Sequence, residues 1–276
     1  MPVRSGPAME TTLRSALADY ELSDGIGPGC YLARPPERLG VGTEGPVLVW
    51  ELPVDAAGWP GLSADLLLYA WVDSPHLLRL IETGPDPDPA GVGAYLVTED
   101  PPGGSLEAPQ RMLRVVEMVL AVAGAARGAH ALHEAGMAHG SISPESVFLT
   151  ARGGVLGPPR PVGPAGAVAH ADRWQSLELL DPELVRGGTP SRSSDVWALA
   201  ATLHQVCAGA PLYRGLEREQ AVTAVQRVLF GWPVVDSTVP SDLADVLEGC
   251  FDRDPAKRPA TALELADRLE AAEVPV

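Results

Sequence analysis

Residues 132–150 read LHEAGMAHGSISPESVFLT, a stretch that leaves the chain few ways to fold. Leading into it, Leu113, Val116, Leu120, Ala123 and Arg127 step by three and four, as a mostly buried helix does. Gly136 marks the end of that helix, His139 and Pro144 follow in a short connection, and Val147–Leu149 resume as an apolar strand.

Length and composition narrow the classes. With 276 residues and a mean hydropathy of +0.06, the chain has ample length to bury a core and reads as a soluble globular protein. A net charge of −16 argues against nucleic acid and against anionic membrane surfaces as partners. Cys30, Cys207 and Cys250 are far apart and odd in number, the pattern of reduced thiols rather than of a disulfide framework. The first residues lack the apolar core of a signal peptide, and no apolar run is expected to reach a membrane-spanning length, so the sequence predicts a cytoplasmic protein.

The 132–150 frame resembles the catalytic-loop region of eukaryotic-type protein kinases, the family to which bacterial Ser/Thr kinases belong; there it reads LHEAG-x-x-HRD-x-K-P-x-N. In that family the HRD Asp accepts the substrate hydroxyl proton and the Asn holds a metal ion. Here those places carry Ser141 and Ser146, and the Lys place carries Ser143. The resemblance puts the family's metal-binding DFG on Pro159-Arg160-Pro161, and no Asp occurs between Pro101 and Ala171. It puts the lysine of the third strand on Trp50, in the run PVLVWEL; the chain's single lysine is Lys257. The glycine-rich loop falls on Ser23, Gly25 and Pro28, which also suits an ordinary hairpin turn. Ser63–Asp73 would be the helix called αC in kinases, its acidic place near Asp65, and Thr98 takes the gatekeeper place at the end of AYLVT.

Architectural motifs of the family are kept. LLDPELVRGG resembles the APE segment, with Asp181 in the Ala place; SDVWAL begins a buried helix at Ser194; residues 250–270 resemble the family's last segment. The resemblance implies that Glu183 pairs with Arg258 and that Asp195 holds the backbone of the catalytic loop beside His139. His130, His133 and His139 are read as structural rather than as a zinc site, since no further ligand stands at a recognised spacing.

The expectation is an α+β, bilobal kinase-like fold: an extension over 1–19, a mainly antiparallel β lobe and hinge over 20–102, and a helical lobe over 103–276. Structural places survive while those facing ATP, metal and substrate are replaced. The sequence therefore predicts a pseudokinase, not an enzyme, with no cofactor, no metal and weak or absent ATP binding. It would act by binding a protein partner as a scaffold or allosteric regulator. The alternatives are a metal-independent nucleotide sensor and a divergent phosphotransferase. The expected partner surface spans about Val162–Leu177 with the adjoining Arg186–Ser193 loop, and has Trp174 and Leu177 as anchors, although Trp174 packing inward as core fits nearly as well.

Overall fold

Every residue of Val47–Leu52 but Glu51 is apolar, as in a strand covered on both faces, and in the computed structural model this strand is the centre of a sheet. The structure describes residues 17–27, 29–39, 45–52, 54, 57–85, 93–160, 177–213 and 221–274. Pro28 and Trp174 lie outside the described residues, as does the expected partner surface before Leu177. The chain divides into two units, one formed by residues 1–70 and 78–100, the other by residues 71–77 and 101–276.

In the first unit, β1 (Glu21–Gly27), β2 (Cys30–Arg34), β3 (Val47–Leu52), β4 (Leu80–Pro85) and β5 (Ala94–Glu99) form one antiparallel sheet in the order β1-β2-β3-β5-β4. The period-two alternation sends β3 side chains to opposite faces. Val47 and Val49 join Leu17, Tyr20, Ala33 and Val97 in one core cluster. Leu52 joins Leu62, Leu66, Ala94 and Leu96 in another. Leu17 is 1% exposed, so the packed sheet unit reaches back before residue 20. Helix α1 (Trp59–Trp71) begins four residues earlier than the sequence suggested, because Pro60 falls in the first turn, where its missing N–H costs nothing.

In the second unit, α2 (Val115–Glu134) is the core helix and packs against the hairpin β6 (Val147–Thr150) and β7 (Gly153–Leu156). Its first turn is fixed by the Glu117 carboxylate, which accepts the Arg114 amide at 2.9 Å. A Cβ built on Gly124 would meet the Gly154 carbonyl oxygen at 2.2 Å, so helix and strand backbones touch where neither has a side chain. By length and composition α2 is apolar enough to cross a membrane, which corrects the expectation that no such stretch exists; here it is a core helix, with Val119, Val122, Ala125 and Leu132 buried.

The other helices of this unit are α3 (Pro182–Val185), α4 (Arg192–Ala208), α5 (Ala221–Phe230), α6 (Ser241–Cys250) and α7 (Ala262–Ala271), of which α4 and α7 pack against α2. Ser191 caps α4, accepting the Ser194 amide at 3.1 Å, and Gly209 ends it at φ 58. The helix is buried along most of its length, from Ser194 to His204. An antiparallel-sheet region followed by a helical region is the α+β arrangement that the sequence implied.

Candidate catalytic loop

The loop between α2 and β6 is held from below by one carboxylate. Asp195, 1% exposed in the first turn of α4, accepts the His139 amide at 2.7 Å and the Gly140 amide at 2.8 Å. The same carboxylate faces His133 Nε2 at 2.8 Å; a carboxylate only accepts, so that ring nitrogen donates. Three donors converge on a buried anion whose desolvation they offset. The expected tether between Asp195 and the loop backbone is present.

His139 is buried, and its Nε2 lies 2.9 Å from the Gly157 carbonyl, to which it donates. Burial holds its imidazole below the ordinary value, so the ring is neutral and Nδ1 is an acceptor, 3.3 Å from the Ser141 amide and 3.4 Å from Ser141 Oγ. Ser141 Oγ in turn accepts the Arg160 amide at 3.0 Å. Ser146 is 2% exposed, and its hydroxyl accepts the Ser143 amide and donates to the Ser143 carbonyl, both at 2.9 Å. Its hydrogen-bonding capacity is engaged within the loop. Pro159 is buried, and the guanidinium of Arg160 lies 3.2 Å from the Glu145 carboxylate.

The structure therefore brings Ser141, Ser143, Ser146, Pro159 and His139 together, as the resemblance implied. Trp50, in the other unit, sits on the sheet face of Leu52 and packs half-buried against the cluster of Leu62, Leu66 and Leu96. Asp65 points outward; the buried positions of α1 are Leu62, Leu66 and Tyr69, so apolar packing occupies the side of α1 that faces the sheet.

The residues present do not fit a hard divalent cation. Such ions take carboxylate, carbonyl and water oxygens. Here two serines and a proline occupy the places of the family's acid, amide and DFG aspartate, and the guanidinium of Arg160 adds a positive charge to the same loop. Among the described residues no group of three His, Cys, Asp or Glu side chains gathers to hold a metal.

Two expectations are corrected. Arg258 does not pair with Glu183: its guanidinium bonds Asp181, with the two side chains 1% and 2% exposed. It also donates to the Ser193 carbonyl at 3.1 Å and the Asp252 carbonyl at 2.8 Å. Asp181 is the N-cap of α3 and points back into the core, whereas Glu183, inside the short turn, faces solvent and pairs with Arg186 at 2.5 Å. The Asp-Pro dipeptide is an N-cap signal that would have found Asp181. Leu177, expected as an exposed anchor, is 7% exposed and belongs to the core. The Arg160–Glu145 pair was missed, since nothing in the spacing joins residues so far apart in the chain.

A family model for protein tyrosine and serine/threonine kinases matches residues 65–269. Serine/threonine-protein kinase PknB of Mycobacterium tuberculosis is 26% identical over 275 residues, covering 92% of this chain and 43% of that protein. PkaB of Streptomyces coelicolor is 26% identical over 254 residues, covering 84% and 58%. PknK of Mycobacterium bovis is 29% identical over 150 residues, covering 50% and 13%. The chain thus spans between 13% and 58% of the length of these relatives. The relatives carry the names of enzymes and the matching family is one of enzymes, which overturns the expectation that the chain is not one. The helix–loop–strand frame, the Asp195 tether and the match over residues 65–269 together place the chain in the protein tyrosine and serine/threonine kinase family, among its eukaryotic-type bacterial members.

Proposed function

We propose that this kinase-family domain works as a regulator that binds a protein partner, with its catalytic-loop positions rebuilt to hold the fold. The observation that carries this reading is Ser146, whose hydroxyl both accepts from and donates to the Ser143 backbone in a buried turn. Fast phosphoryl transfer depends on metal and cationic groups that each lower the barrier by several kcal/mol. The loop offers closed hydroxyls and an arginine–glutamate pair in their stead.

Partner binding is supported by an exposed aromatic surface on the helical unit. Phe230 and Trp232 are 73% and 66% exposed, and the Arg253 guanidinium lies 4.1 Å from the Trp232 ring centroid. Tryptophan and arginine are the residue types most often found at interface hot spots. A second reading, a divergent phosphotransferase, is favoured by the relatives' names; Glu145 is then the carboxylate within the loop able to take a proton. Two measurements separate them. Phosphoryl transfer from labelled ATP that is lost in Glu145→Gln supports the phosphotransferase. Recovery of one partner protein by the wild type, lost in Trp232→Ala without loss of Tm, supports the regulator.

A further inference from the structure

Two arginines close the C-terminal end of α5. Arg186 Nη2 donates to the Leu229 carbonyl at 3.1 Å, and Arg253 Nη2 donates to the Phe230 and Gly231 carbonyls at 2.9 and 2.6 Å. The last carbonyls of a helix have no partner within it, so these caps fix the turn that follows. Gly231 folds tightly beneath the helix: its amide donates to the Arg227 carbonyl at 2.7 Å, and a Cβ there would meet the same oxygen at 2.3 Å. The turn held in this way carries Phe230 and Trp232, both exposed. Ordering large apolar side chains that stay in water gains no core burial, but it lowers the ordering cost of whatever docks on them.

Arg253 has donors to spare. Its guanidinium lies over the Trp232 ring, and a single nitrogen serves both carbonyls. Among the described residues no carboxylate pairs with it, and its Nε and Nη1 have no acceptor. A guanidinium fixed in place with free N–H groups matches a carboxylate in geometry as well as in charge. Asp252 and Asp254 flank it in sequence, and each accepts an amide of its own turn, from Asp254 at 2.8 Å and from Ala256 at 3.1 Å. Those two charges keep the local field from being strongly positive, so the site suits one directed carboxylate rather than a polyanion. The net charge of −16 opposes a second copy of this chain as the occupant.

We propose that the turn after α5 docks an interior peptide segment of the partner, whose aromatic or branched aliphatic side chain covers Phe230 and Trp232 while an Asp or Glu side chain pairs with Arg253. This rests on the partner-binding reading above and adds the chemistry of what is bound. Because Arg253 lies over the Trp232 ring, the acid stands within about one helical turn of the apolar residue in the partner's sequence. Phe230 and Trp232 stand on either side of Gly231, so the segment runs past both rather than ending on one.

The test pans random dodecapeptides against the full chain, with counter-selection on Trp232→Ala. The peptides are displayed with their C-termini joined to the phage coat, so that only side chains supply carboxylates. Enriched peptides are expected to join an apolar side chain to a nearby Asp or Glu. One of them, made with an amidated C-terminus and followed by fluorescence polarisation, is expected to lose affinity at least ten-fold on Trp232→Ala. The same loss is expected on Arg253→Gln and on replacing the peptide's own acid by the amide, and these two losses should not add, since the groups act on each other. The change in the peptide needs no altered protein, so it decides the matter if circular dichroism shows Arg253→Gln to be misfolded. Enriched peptides that depend on Trp232 but carry no acid, or losses that add, overturn the carboxylate pairing and leave the partner-binding reading in place. The absence of any peptide that depends on Trp232 overturns both. A dimer seen in sedimentation that Trp232→Ala abolishes assigns the surface to a second copy and overturns the proposal.

Discussion

Arg258 is bound to Asp181, and neither side chain reaches solvent. The guanidinium also caps two carbonyls and lies 4.9 Å from the centroid of the buried Trp197 ring. Removing one partner of such a pair leaves the other charged and unsatisfied, at about 3–5 kcal/mol. At about 2–4 °C per kcal/mol for a domain of this size, Arg258→Ala and Asp181→Ala should each lower Tm by roughly 10 °C. Glu183→Ala, which breaks only an exposed pair with Arg186, should shift it by no more than about 2 °C. Comparable losses for Glu183→Ala and Asp181→Ala in a melting series would contradict this assignment.

Asp195→Asn should be destabilising despite its near-identical shape. An amide offers one acceptor oxygen where the carboxylate offers two, and its NH₂ would face the His139 or Gly140 amide donor. Hydrogen bonds to a charged group contribute about 1.5–3 kcal/mol each, so losing one and setting two donors face to face should cost at least about 2 kcal/mol. Urea unfolding with an unchanged m-value is the measurement.

Stability should fall on the acid side of neutrality. Burial holds His139 and His204 below the ordinary imidazole value. The unfolded chain therefore binds more protons than the native one once the pH drops below about 6.5, and unfolding is favoured. The loss begins there and levels off below the depressed native values. Denaturant midpoints measured between pH 8 and pH 5 should decline through this window, and His204→Gln should flatten part of the decline if the fold is retained.

Magnesium should add nothing to nucleotide binding. The catalytic loop presents serines, a proline and Arg160 in place of hard anionic ligands. A ligand at one hundred times its Kd stabilises by about 2.7 kcal/mol, which would be visible as several degrees. Millimolar ATP with Mg²⁺ is expected to move Tm by less than about 1 °C relative to ATP alone.

The motif residues were legible because they are dictated locally. The helix end at Gly136, the His139 loop and the apolar strand after it follow from periodicity and turn chemistry, and the structure keeps their order. Asp195 was legible too, through the resemblance of SDVWAL to the start of the family's buried helix. The Arg258 partner was not, because Asp181 and Glu183 differ only in which side of a four-residue turn they occupy, and one turn's rotation is a tertiary matter. Leu177 was misjudged because its exposed-looking context of small and polar neighbours says nothing of the core beneath it.

The Asp195 tether also sets a clock. The His139 and Gly140 amides are bonded to a carboxylate at the root of a buried helix, not to water. They can exchange their hydrogens for deuterium only when that helix end itself comes loose, an opening that belongs to the slowest cooperative part of the helical unit. A stretch that lies between a helix and a hairpin, where fast breathing is the norm, thus ages at the rate of the core.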